Sequence, residues 1–195
     1  VYEAPTDAVL QAAAESGLRL LVGVPWTQHV DFLADKSVRR DAMARVAQTA
    51  RRLAGESCVA GLLVGNEIDK TLVRWMGPAR VRAFLENLIA IAKAEAPGLP
   101  VAYANYPSTE YLAPRNADFV AFNVFLERRD DLVRYVRHLQ VISEGKPLVI
   151  TEFGLDSKRH GEAAQAEGLR WEMEELRRAG AAGNFWFSYT DEWHR

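Results

Sequence analysis

Two glutamates each close an apolar run in this chain, and their type and position suit proton transfer and nucleophilic attack. Gly61-Leu62-Leu63-Val64-Gly65-Asn66-Glu67-Ile68 reads as a short strand that ends in an amide and a carboxylate. Pro147-Leu148-Val149-Ile150-Thr151-Glu152-Phe153-Gly154 repeats the design: apolar strand, then Glu, then Gly. Apolar runs of this length without alternation fit strands buried on both faces, as in parallel sheets. Such a strand gains nothing from finishing in a carboxylate, which costs free energy beside an apolar wall unless it is paired or solvated. Parallel strands with a Glu at each C-terminal end put both carboxyls on one rim, where one can move a proton and the other can attack.

The elements that must position these groups alternate along the chain. Val1-Tyr2 reads as the close of a strand, and Pro5-Thr6-Asp7 opens a helix that stops at Ser16-Gly17. Residues 18–24 form a strand, followed by the loop Pro25-Trp26-Thr27-Gln28-His29. A helix over 37–53 turns Met43, Val46 and Ala50 inward. The strand to Glu67 leads to a helix over 78–94, with Pro78 in the first turn where its missing N–H does no harm. Strands follow at 100–105 and 119–124, then a helix at 130–143, the strand before Glu152, a helix at 161–179 and a strand at 184–189.

This rhythm predicts βαβ units and a parallel sheet. A doubly wound sheet is disfavoured, because no strand is followed by its Gly-rich phosphate turn. The strands end instead in polar or aromatic residues: Trp26 and His29, Asn66 and Glu67, Asn105 and Tyr106, Asn123, Glu152, and Ser188 with Asp191. A site on the C-terminal rim is the pattern of the (β/α)8 TIM barrel. The expectation is therefore an α/β fold, one domain over 1–195, short of the first strand–helix unit and most of the second strand. A complete barrel has eight strands and about 250 residues. The incomplete barrel edge predicts self-association or closure by a longer chain.

Composition narrows the function classes. The 195 residues carry a formal net charge of -2, with 49% hydrophobic and 26% charged residues. That balance gives no electrostatic case for nucleic acid or an anionic membrane. Cys58 stands alone, so no internal disulfide is expected. His29, His138, His160 and His194 are scattered, and neither a metal site nor a cofactor is expected. No Gly-x-Ser-x-Gly elbow points to a serine hydrolase. No apolar run approaches the ~20 residues of a membrane span, and with no signal sequence in the chain the cytoplasm is slightly favoured.

Gly65-Asn66-Glu67 and Thr151-Glu152-Phe153-Gly154 resemble the acid/base and nucleophile signatures of clan A glycoside hydrolases, including retaining β-glycosidases of families two and five. Val22-Gly23-Val24-Pro25-Trp26 with His29, and Phe122-Asn123-Val124-Phe125, are similar to glycosidase-like barrel domains attached to bacterial family-two glycosyltransferases. The resemblance covers essentially the whole chain, but the chain lacks the first strand and the Arg usually found late on the second. It implies a retaining β-glycosidase or transglycosidase, with Glu67 as acid/base and Glu152 as nucleophile. Asn66 would hold the sugar 2-hydroxyl, and Trp26, His29, Asn105, Tyr106, Asn123 and Trp186 would line the sugar site, with Trp193 near the same rim. Retaining enzymes hold their two carboxyl groups about 5–5.5 Å apart. The partners implied are an oligo- or polysaccharide and an attached glycosyltransferase domain, with no nucleic acid. Glu127, Asp69 and Asp191 read as surplus carboxylates. The rival reading is a non-catalytic glycan-binding or scaffolding domain, since one rim serves both.

Overall fold

A computed structural model describes residues 1–189, so Asp191 and Trp193 lie outside the described residues. The chain divides into two compact units, Val1–Asp118 and Phe119–Arg195. Both are built from parallel strands joined by helices.

In the first unit, β1 (Leu20–Gly23), β2 (Val59–Asn66) and β3 (Val101–Asn105) pair side by side in chain order, all parallel. Every residue of β2 is buried except Ala60 and Asn66, as its unbroken apolar run requires. Val1 extends this ladder: its N-terminus donates to Leu21 O at 2.9 Å, and Gly23 N donates to Val1 O at 2.8 Å. That pairing is the parallel pattern with Val1 opposite Val22, so Val1 behaves as a strand residue.

Helices α1 (Asp7–Glu15), α2 (Lys36–Leu53), α3 (Lys70–Met76) and α4 (Pro78–Glu95) belong to the same unit. Asp35 caps α2 by accepting from Ser37 N at 2.7 Å and Val38 N at 3.2 Å, which satisfies amides the helix cannot. The buried stripe of α2 is Ala42, Val46, Thr49, Ala50 and Leu53, so Met43 is only half-buried beside it. Helix α4 buries Val81, Phe84, Leu85, Leu88, Ile89 and Ala92 at helical spacing, and each large side chain contributes about 1.5–3 kcal/mol. Cys58 is buried, with Sγ 3.6 Å from Leu10 O, in keeping with a packing role.

In the second unit, β4 (Val120–Asn123), β5 (Leu148–Phe153) and β6 (Gly183–Trp186) are again parallel and in chain order. Helices α5 (Arg129–Ile142), α6 (Ser157–His160) and α7 (Glu162–Arg178) accompany them. The core gathers Phe122, Val124, Leu132, Val136, Leu139, Leu148, Ile150, Phe153 and Leu176. Two short helices, α3 and α6, and a 3-10 turn over Pro107–Leu112 stand where the sequence reading places only loops.

The register slips just before each candidate carboxylate. Leu63 pairs with Ala102 and Asn66 with Ala104, so β2 carries one extra residue before Glu67. Phe122 pairs with Ile150 and Asn123 with Glu152, so β5 carries one extra residue at Thr151. Bulges of this kind bend a strand and re-aim the next side chain, and they favour the neighbourhood of active sites.

Candidate active site

Glu67 follows the last residue of β2 and is half-buried. Its amide still belongs to the ladder, donating to Ala104 O at 3.0 Å. Its backbone then turns left-handed, with φ +46°, a region few residues other than glycine adopt. Bulge and left-handed turn together end the strand and swing the carboxyl off the regular pleat. Residues held in sparse backbone regions cluster at functional sites.

The frame around Glu67 comes from the loop after β1 and from the end of β3. Gln28 brackets the Asn66 peptide: its side-chain amide donates to Asn66 O, and its carbonyl accepts from Asn66 N at 3.3 Å. Trp26 donates its indole N–H to Val64 O at 2.7 Å. Its ring packs edge-on against Phe32 and Phe84, with centroids 5.0 and 5.8 Å away. Gly65 keeps this packing close, since a Cβ would stand 3.3 Å from Gln28 Oε1, which would have to shift slightly, and 3.5 Å from the Trp26 ring. Beyond Glu67, Ile68 N donates to Tyr103 Oη at 2.9 Å and Lys70 N donates to Tyr106 Oη at 3.0 Å. Burial pushes both tyrosine hydroxyls above their ordinary pKa, so they stay neutral and can donate in turn. Asn105 is buried, and its amide ties down the turn after β3. Its Oδ1 accepts from Tyr106 N at 2.9 Å and Thr109 Oγ1 at 2.7 Å, and its Nδ2 donates to Thr109 O at 3.0 Å.

Glu152 is buried on β5, opposite Asn123 of β4. Thr151 Oγ1 donates to Asn123 Oδ1 at 2.6 Å, locking the side chain of the bulged residue against the neighbouring strand. Val124 N donates to Glu152 O at 2.8 Å, which fixes the backbone under the carboxyl. Trp186 stands at the end of β6, half-buried, its ring edge-on to Phe153 at 5.7 Å. Its N–H turns back to Ser188 O at 3.1 Å. Gly154, at φ +146°, lets this ring close in, since a Cβ there would meet Phe187 O at 2.9 Å and the Trp186 ring at 3.2 Å.

The surplus carboxylates have structural occupations. Asp69 caps α3, accepting from Thr71 N at 2.7 Å and Leu72 N at 3.4 Å. Those hydrogen bonds, the Thr71 hydroxyl first, lower its pKa. Glu127 accepts from Arg159 at 2.8 Å and lies 3.0 Å from His160 Nε2, which links the loop after β4 to α6.

Of the residues read from sequence, the first unit brings together Glu67, Asn66, Trp26, Asn105 and Tyr106, with His29 exposed on the same loop as Trp26. The second unit brings together Glu152, Asn123 and Trp186. Trp26 is buried with its N–H engaged, so it supports the wall behind Gly65. Gln28 and Thr151 escaped the sequence reading as frame residues. Gln28 has no local signature, because its partner peptide lies 38 residues away. Thr151, directly before Glu152 in a strand, had a signal in its hydroxyl. Among the described residues, no group of three or more His, Cys, Asp or Glu could hold a metal ion. Also among them, no helix is long and apolar enough to cross a membrane.

No protein-family model and no curated protein matches the chain. Solved structures do. The β-glucuronidase of Ruminococcus gnavus in complex with D-glucuronic acid aligns with a TM-score of 0.80 at 15% identity, over 96% of this chain and 35% of that one. The β-glucuronidase of Bifidobacterium dentium aligns at 0.75 and 17% identity, over 96% and 33%. A GH5_18 protein of Streptomyces cattleya in complex with Manβ1-4GlcNAc aligns at 0.73 and 16% identity, over 92% and 55%. The chain thus spans roughly a third to a half of the proteins it matches. At these identities the likeness shows the fold, and the chain is a partial (β/α)8 barrel of the kind those glycosidases carry.

Proposed function

We propose that this chain is the catalytic core of a retaining β-glycosidase or transglycosidase acting on a β-linked oligo- or polysaccharide. The observation that carries the reading is the pairing of a bulge with a carboxylate at two strand ends, Glu67 after β2 and Glu152 on β5. In a barrel fold shared with β-glucuronidases and a GH5 protein, strand ends are where chemistry is built. Glu152 attacks the anomeric carbon while Glu67, protonated, gives its proton to the leaving oxygen, and a glycosyl ester forms on Glu152. Glu67, now a carboxylate, takes a proton from water or from a sugar hydroxyl, whose oxygen displaces Glu152 and restores both groups. Asn66 holds the 2-hydroxyl, with Asn123, Tyr106, His29 and Trp186 as further sugar contacts. Trp26 and Asn105 act from behind through Gly65 and the turn after β3. Substitution of each Glu by Gln, followed by assay on aryl β-glycosides, tests the roles. Each change is expected to lower turnover by about 10²-fold or more, and unchanged turnover after Glu152→Gln removes the mechanism.

A second reading is a glycan-binding or scaffolding domain working beside an attached glycosyltransferase. It is favoured by exposed aromatics such as Trp75 and Tyr111, rings of the kind on which a sugar can stack whether or not a bond is cut. Oligosaccharide binding by an active-site-intact protein, without hydrolysis or glycosyl transfer, would select it.

A further inference from the structure

Helix α3 lies across the C-terminal ends of the first unit's strands, tied at both of its ends. Its first amide, Lys70 N, reaches Tyr106 beyond β3. In its last turn, Trp75 Nε1 donates to Asp31 Oδ2, beyond β1, at 3.3 Å. Val73 and Met76 anchor the helix inward, yet Trp75, which makes the second of these ties, is 78% exposed. An indole left this open forfeits the burial that usually places tryptophan. The ring is nonetheless held, because Asp31, its partner, is itself fixed by Ala34 N at 3.0 Å. The N–H is engaged by Asp31 while most of the ring stays open to solvent. An aromatic face beside a carboxylate with acceptor capacity to spare matches a pyranose, which offers a face of C–H groups ringed by hydroxyl donors. His29, exposed two residues before Asp31, lies on the same loop.

We propose that Trp75 and Asp31 form an accessory subsite for one sugar ring of a β-linked polysaccharide, on the β1 side of Glu67. The inference rests on the glycan reading above and adds a residue outside the reacting pair. Substrates several sugars long would gain affinity there that a single glycoside cannot reach.

The test is titration of the protein with hexasaccharides of β-linked glucose, N-acetylglucosamine and glucuronic acid, followed by intrinsic tryptophan fluorescence and calorimetry. At least one hexasaccharide is expected to bind and shift the emission to the blue. Trp75→Ala should weaken that binding about ten-fold, and Trp75→Tyr should keep it within about three-fold. Circular dichroism shows that each variant is folded, as expected for so exposed a side chain. Equal hexasaccharide affinity in wild type and Trp75→Ala, or no binding to wild type by any of the three, overturns the subsite. Failure of the catalytic reading is separate: Trp75-dependent binding without turnover keeps the subsite and removes the chemistry, and turnover with Trp75-independent binding does the reverse.

Discussion

Gly65 and Gly154 sit beside the two glutamates for different physical reasons. Gly65 leaves room for Gln28 and Trp26 to close over the strand end before Glu67. Gly154 combines φ +146° with a backbone oxygen 2.9 Å from where a Cβ would be. Gly154→Ala is therefore expected to destabilise the fold by about 1–3 kcal/mol, read as a shift in the urea midpoint. A midpoint equal to wild type would mean that the Trp186 contact yields freely. The place of the two glutamates at strand ends was legible in sequence, because each closes an apolar run. The part played by Trp26 was not legible. A tryptophan after a strand looks the same whether its ring faces sugar or packs on Phe32 and Phe84. Only the tertiary fold decides which face is used.

Helices with a long apolar period were legible to within a residue or two, as α4 and α5 show, since burial of a stripe enforces the period. The helices α3 and α6 and the 3-10 turn were not, because four to seven residues carry too little periodicity to distinguish them from loops. Helix α7 holds an exception inside a legible pattern: Gly168, Glu172 and Leu176 form its buried stripe. Glu172 is wholly buried, and neither of its oxygens has a hydrogen-bond partner among the described residues. Burial raises its pKa from 4.5 to about 7. The folded state thus holds the proton more tightly than the unfolded state. The contribution of Glu172 to stability is full below about pH 4.5, falls as pH rises toward about 7, and then levels. Unfolding midpoints across that range should show this slope, and Glu172→Gln should flatten it. An unchanged slope in the variant would place the titration elsewhere. Glu172→Leu should raise the melting temperature above pH 7, since it removes a buried charge and keeps the volume apolar.

At the scale of the molecule, strand–helix alternation identified the barrel class because each parallel strand needs a crossover and each crossover a helix. Apolar side chains stand open in each unit: Val1, Tyr2, Val9 and Leu18 in the first, Phe185 and Tyr189 in the second. On its own, the 195-residue chain is expected to self-associate through such surfaces. Light scattering over a wide concentration range checks this, and a monomer throughout would refute it.

In the mechanism proposed above, Glu152 becomes covalently bonded to sugar. A panel of 2-deoxy-2-fluoro β-glycosides with good leaving groups slows breakdown of the ester more than its formation, so the intermediate can be weighed. After incubation and proteolysis, mass spectrometry should find one fluorosugar on the peptide carrying Thr151-Glu152-Phe153, and none after Glu152→Gln. A label on Glu67 or on any other residue, or no label while aryl glycosides are being turned over, would contradict the account.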